Sequence, residues 1–276
     1  LLVGDGKNRR ILKYTIYGTY LSYYDIPGTS ETSFFFDFDN DQNLFVSDYV
    51  SCALHKINSN GEIEKSVFGA YDELFYPTGI LVHPIDGLIY VVDSVHERIV
   101  VYDDELNFQR EWGEEGTGFG QFRNPGGIAA DNNGRIYVAD EWNDRIQLFT
   151  SEGIFIEEWT GYFSNPYDIY IENDSVYITD IGLKKILVFD LDGNLITQWG
   201  DNGLHEGEIR NPCQITTDSS GNFFISDFQH RIQVFRKDRL PIDGFSGLIQ
   251  NGSFASGNTG WALGGDQISF AIVDRP

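Results

Sequence analysis

Short runs of alternating apolar and polar residues, broken by Gly, Asn and Asp, fill this chain from its first residue to about 247. A period of two belongs to half-buried β-strands. The unit beginning at residue 125 shows the pattern best. Its first strand is expected at 126–131, turning at Asn132-Asn133-Gly134, and its second at 135–140. The third runs over 145–150 and turns at Ser151-Glu152-Gly153, and the fourth covers 154–159, ending on Trp159. No 3.6-residue period survives across the unit, so stacked helix pairs are excluded.

The unit recurs. The frame of residues 123–149 is found again at 76–102, 165–189 and 211–235, in a more worn form at 33–58, and truncated at 1–15. An Asp closes each second apolar run: Asp5, Asp48, Asp93, Asp140, Asp180 and Asp227, at intervals of 43, 45, 47, 40 and 47 residues. A basic residue follows five positions later at Arg10, Arg98, Arg145 and Lys185, and four later at Arg231; Ala53 breaks the pattern. Four strands per 40–50 residues, repeated six times, predict an all-β, six-bladed β-propeller.

The segment Trp112-Gly113 through Gln121-Phe122, followed by Asn124-Pro125-Gly126-Gly127-Ile128, resembles the NHL-repeat propellers, and Trp199-Gly200 through Asn211-Pro212 is a second such copy. The resemblance covers residues 1–247. It implies the propeller fold and leaves function open, since that fold hosts binders, scaffolds and a few enzymes.

Charge narrows the partners. The net charge of −23 disfavours nucleic acid, which demands clustered Lys and Arg. No run of 18 apolar residues is present, so no membrane insertion by a helix is expected. Two cysteines, Cys52 and Cys213, are too few for a disulfide framework.

Candidate chemistry is sparse. The six repeat aspartates read as turn architecture, because a carboxylate ending a strand accepts turn amides, and the basic residue five positions on can pair with it. Asp37, Asp39, Asp41 and Asn43 alternate as calcium ligands do, but Gln42 stands where such loops carry Gly, and the frame places them in a hairpin turn. The histidines His55, His83, His96, His205 and His230 occupy unlike frame positions, so a zinc site is not expected. No nucleophile motif stands out and no catalytic residue is assigned. The loops joining blades and the turns between second and third strands share one face. There Thr78, Tyr167 and Cys213 should ring the axis, with Tyr49, His96, Trp142 and Phe228 in the turns. These seven residues form the expected ligand-binding face.

Residues 248–276 leave the frame. Asn251-Gly252-Ser253-Phe254 with Gly260-Trp261 resembles the opening of a carbohydrate-binding jelly-roll module, which points to an extracellular or cell-surface protein. The first blade opens at its second strand, so its inner strand must come from upstream residues, from the tail segment Ile268 to Asp274, or from a neighbour. Donation to a neighbour gives a head-to-tail homo-oligomer or filament. The expected function is a non-catalytic scaffold binding protein or polysaccharide, without cofactor unless calcium occupies the Asp37 turn. A metal-dependent lyase or lactonase-like hydrolase is the alternative.

Overall fold

The computed structural model describes residues 1–28, 30–69, 74–203, 208–228, 231–235 and 270–271. They form six antiparallel sheets, the blades of a β-propeller. Blade 1 holds Leu2–Asp5, Arg10–Tyr14 and Tyr20–Asp25. Blade 2 holds Phe34–Phe38, Leu44–Asp48, Ala53–Ile57 and Ile63–Phe68, and blade 3 holds Pro77–Val82, Ile89–Asp93, Arg98–Tyr102 and Phe108–Trp112. Blade 4 is Pro125–Ala130, Ile136–Asp140, Arg145–Phe149 and Phe155–Trp159, within a residue or so of the strands read from the alternation. Blade 5 is Pro166–Glu172, Ser175–Asp180, Lys185–Asp190 and Leu195–Trp199, and blade 6 has Pro212–Thr217, Phe223–Asp227 and Arg231–Phe235. Only two 3-10 turns, Gly6–Asn8 and Glu141–Asn143, interrupt the β-structure among the described residues. No helix there is long and apolar enough to cross a membrane.

Burial follows from this stacking. Each blade is sandwiched between two others, so its middle strands are covered on both faces. Ile89–Asp93, Ile136–Asp140 and Arg145–Phe149 are buried at every position. The outer strand Phe108–Trp112 stays largely open. First strands of successive blades lie against one another around the axis.

Two sets of small residues set how closely blades approach. Near the start of the first strands, a Cβ on Gly79 would lie 2.6 Å from the Gly126 carbonyl oxygen, one on Gly126 2.7 Å from that of Tyr167, and one on Gly127 2.7 Å from Cα of Asp168. The Pro-x-Gly frame is therefore a close-approach device that pinches the axis at this end. At the periphery, the turn between third and fourth strands packs under an aromatic of the preceding blade. A Cβ on Gly61 would stand 2.6 Å from the ring of Tyr24, on Gly153 2.5 Å from Trp112, and on Gly193 2.5 Å from Trp159. Blade 3 reverses the sizes: buried Leu106 occupies the turn, in the same cluster as the smaller Val67 of blade 2. Gly153 also has a φ of +84°, which side chains rarely adopt. Gly153→Leu is expected to cost about 1–3 kcal/mol by overpacking. In a Trp112→Val background, urea unfolding should show that cost fall by more than half; additive effects would contradict size complementarity.

Phe270–Ala271 lies antiparallel to Leu2–Asp5, with Leu2 opposite Ala271 and Val3 opposite Phe270. The chain's own tail thus takes the inner position of blade 1, next to the first strands of blades 2 and 6. The jelly-roll expectation for residues 248–276 otherwise lies outside the described residues.

Candidate functional site

The repeat aspartates build the face on which the inter-blade loops lie. Asp5, Asp48, Asp93, Asp140, Asp180 and Asp227 are all buried. In blades 2, 4, 5 and 6 the turn after the repeat Asp is stitched to the loop leading into the same blade. Tyr49 N–H donates to the Ser33 carbonyl (3.1 Å), Trp142 N–H to Arg123 (3.1 Å), Ile181 N–H to Asn165 (3.0 Å) and Phe228 N–H to Asn211 (3.2 Å). The expected ion pairs form at Arg10–Asp5 (2.8 Å), Arg98–Asp93 (3.1 Å), Arg145–Asp140 (2.7 Å) and Arg231–Asp227 (2.6 Å). Where Ala53 breaks the frame, Arg9 of blade 1 supplies the cation to Asp48 instead. Burial opposes ionisation of Asp48, but contacts from His55, Arg9 and Thr32 outweigh it and hold its carboxyl below the usual range. Lys185 departs from expectation: it makes no ion pair with Asp180 among the described residues. Asp180 instead accepts amides from Ser164 (2.8 Å) and Leu183 (2.8 Å), and burial pushes it up to about 6.

Arg145 spends its guanidinium on the Gly-rich loop as well. It donates to the carbonyls of Thr117 (3.1 Å), Gly118 (2.8 Å) and Gln121 (2.8 Å), and to Glu158 (2.7 Å). Gln147 adds a bond to Gln121 (2.8 Å) and accepts the Gly120 amide (2.9 Å). The loop is thereby fixed, with Phe119 at its tip 70% exposed and stacked on Phe155.

The seven residues expected on this face divide into floor and rim. Tyr167 and Cys213 are buried in one cluster with Phe35 and Ile80, and Phe228 packs edge-on against Tyr167. Thr78 donates toward the Pro125 and Gly126 carbonyls (both 3.3 Å), and Tyr49 stacks on Tyr76. His96 is tied to Asp93 (2.8 Å). These six are largely engaged in holding the blades. Trp142, by contrast, is 63% exposed.

Alternation did not reveal the other rim residues. Val50, Val95 and Leu183 occupy the same turns as Trp142 in other blades, and Tyr162 lies in the loop before blade 5; all are exposed. Their signal is positional: Val50, Val95 and Trp142 each stand two residues after a repeat Asp.

Glu141 was also missed. It follows Asp140 directly, where other copies carry Gly6, Tyr49, Ser94, Ile181 and Phe228. It is buried, its Oε2 accepts Nδ2–H of Asn124 (2.9 Å), and burial pushes its carboxyl up to about 8. Its charge adds to burial in raising Tyr49, Tyr167 and Cys213. Glu97 accepts the Asn124 amide (2.6 Å) and, mainly through burial, rises to about 7.

The calcium-type residues serve the hairpin. Asp39 accepts both N–H (2.8 Å) and Nδ2–H (2.7 Å) of Asn43, as Asp103, Asp190 and Asp218 do from Asn107, Asn194 and Asn222. Asp37 accepts the Val82 amide (2.9 Å) of blade 3, and Asp41 is exposed. Among the described residues, no three His, Cys, Asp or Glu side chains converge as metal ligands. His55 bonds Ser66 (2.8 Å) and His83 the Gly134 carbonyl (3.2 Å), while His205 and His230 lie outside the described residues.

Comparison with known proteins agrees with this architecture. The NHL repeat family matches residues 122–149. A search of curated proteins finds no match. Similar solved structures include a catalytically inactive variant of virginiamycin B lyase from Staphylococcus aureus with quinupristin, at 18% identity and a TM-score of 0.64, covering 84% of this chain and 78% of that one. A chain of a nidogen/laminin complex has 16% identity and a TM-score of 0.66, covering 86% and 93%. A protein of unknown function from Bacteroides caccae has 14% identity and a TM-score of 0.62, covering 82% of each chain. At these identities the likeness is one of fold.

Proposed function

We propose that this propeller is a non-catalytic, extracellular or cell-surface binding platform that engages a protein partner through the face bearing the inter-blade loops. The observation that carries this reading is the apolar crown of that face: Val50, Val95, Phe119, Trp142, Tyr162 and Leu183 are each exposed. Exposed apolar groups gathered on one rim suit a protein interface, where aromatic anchors supply most of the binding energy. The rigid mounting of the Phe119 loop by Arg145 lowers the ordering cost of contact. A net charge of −23 favours a partner with a basic margin and fast, salt-sensitive association. That a similar fold occurs in a nidogen/laminin complex agrees with such a role.

The test is a binding screen of the purified chain against secreted and cell-surface proteins and glycans, repeated with Trp142→Ser and Phe119→Ser. A protein partner should bind at least about tenfold more weakly to each variant, the loss typical of an aromatic anchor. Unchanged affinity in both variants, or binding of glycans alone, would refute the assignment.

A further inference from the structure

Two carboxylates are tied to the turn that carries Trp142. The Trp142 N–H donates to the Arg123 carbonyl (3.1 Å), and the next residue of that loop, Asn124, donates its own N–H to Oε2 of Glu97 in blade 3 (2.6 Å). Asn143, which follows Trp142, donates Nδ2–H to the Gly116 carbonyl (2.9 Å), and Glu115 immediately precedes that glycine. Glu97 and Glu115 are thus brought to one turn by two separate bonds. Val95 shares the turn of Glu97 and, like Trp142, is exposed. Glu115 is exposed and Glu97 half-buried.

The acids gathered here have little cation of their own. Arg98 is spent on Asp93 (3.1 Å) and Glu111 (2.8 Å), and Arg145 on Asp140 (2.7 Å) and Glu158 (2.7 Å). Burial pushes Glu97 up to about 7. The charges of Asp140 and Glu115 add to that rise, while the Asn124 amide and, more weakly, Arg123 oppose it. An apolar anchor seated on Trp142 would cover these carboxylates and leave them without a partner, which is costly. A cation would satisfy them and gain the face of the indole as well.

We infer that the protein partner of this face anchors itself with an arginine, whose guanidinium lies on the Trp142 ring and pairs with Glu97 and Glu115. The inference rests on the reading of this face as a protein-binding surface and names the chemistry of its partner. Arginine fits better than lysine because its planar fork stacks on an aromatic face while its edge donates to carboxylates. Only ionised Glu97 can join the pair, so affinity should rise with pH through the range where Glu97 titrates.

The experiment is nitrogen-15 NMR of the indole N–H groups of the full chain, titrated with N-acetylarginine amide. N-acetylcitrulline amide, of the same shape without the charge, is the control, and Trp142→Ser identifies the resonance. The Trp142 signal should move saturably with the arginine probe, which should bind at least about fivefold more tightly than the citrulline one. Glu97→Gln keeps an oxygen for the Asn124 amide and should weaken binding about fivefold in mild alkali; exposed Glu115→Gln should weaken it about threefold. In the unaltered chain affinity should rise several-fold from about pH 6 to about pH 8, and Glu97→Gln should abolish that rise. Asp192→Asn, in an exposed turn, should change nothing. A Trp142 indole indifferent to the probe, citrulline matching arginine, or affinity unmoved by both Glu97→Gln and Glu115→Gln would each overturn the inference. Protein partners from the binding screen separate it from the broader reading. A partner weakened by Trp142→Ser but indifferent to Glu97→Gln and Glu115→Gln would leave the surface standing and remove the arginine anchor. Partners all indifferent to Trp142→Ser would remove the surface and the anchor with it.

Discussion

Arg145→Ala should be the most damaging single replacement on the loop-bearing face, lowering stability by about 3–5 kcal/mol, the cost of stranding one member of a buried ion pair. For a chain of this size that is on the order of 10 °C in melting temperature. Two losses combine. Asp140 is fully buried, and burial already raises its pKa despite the bonds from Arg123, Asn143 and Arg145. Without the guanidinium it must take up a proton or draw in water. The carbonyls of Thr117, Gly118 and Gln121 meanwhile lose the donors that hold the Gly-rich loop. Arg145→Lys should recover less than half of the loss, since one ammonium cannot reproduce a five-donor fork. Urea unfolding measures the first effect, and limited proteolysis within residues 113–122 the second. A cost below about 1 kcal/mol, the level of an exposed pair, would show the network to be ornamental.

That network also shows what was legible in the sequence. The period of two, the turn residues and the spacing of the repeat aspartates are local signals, and they located blade 4 to within a residue or so. The Arg five positions after Asp5, Asp93 and Asp140 could be paired with the Asp because a hairpin brings such neighbours opposite: Asp140 faces Arg145 across the second and third strands. What alternation could not show is where a side chain points once six blades close. Tyr167 and Cys213 are buried in one cluster with Phe35 and Ile80, and how far such residues are covered depends on how far neighbouring blades intrude. Arg9 reaches Asp48 across 39 residues, a substitution of one blade's cation for another's that no spacing encodes. Glu141 is different. Set against Gly6, Tyr49, Ser94, Ile181 and Phe228, it is the acidic member of its column, and comparison down the column rather than along the strand would have found it.

Glu141 gives the second large effect, a dependence of stability on pH. Its folded pKa is about 8 against an ordinary value of 4.5, chiefly because burial disfavours the charged form, with the Asn124 bond acting the other way. A raised folded pKa means that the folded state holds the proton more tightly than the unfolded chain. Its contribution is therefore complete below about pH 4.5 and is lost as pH rises toward 8. Over pH 6 to 9 the loss from this one group should be about 2–3 kcal/mol, from 1.36 kcal/mol per pKa unit. Glu97 and Asp168, each at about 7, add losses of the same sign, so the chain should unfold more easily in mild alkali than near pH 6. Self-repulsion at −23 also grows with pH, so the diagnostic is a difference. Glu141→Gln keeps an oxygen to accept from Asn124 and has nothing to ionise. Its stability should match that of the parent chain near pH 4, exceed it by about 2 kcal/mol at pH 6 and by about 4–5 kcal/mol at pH 9, where a folded Glu141 must carry a buried charge. Parallel curves for the two proteins would mean that Glu141 titrates as an ordinary carboxylate and that water reaches the axis at this face.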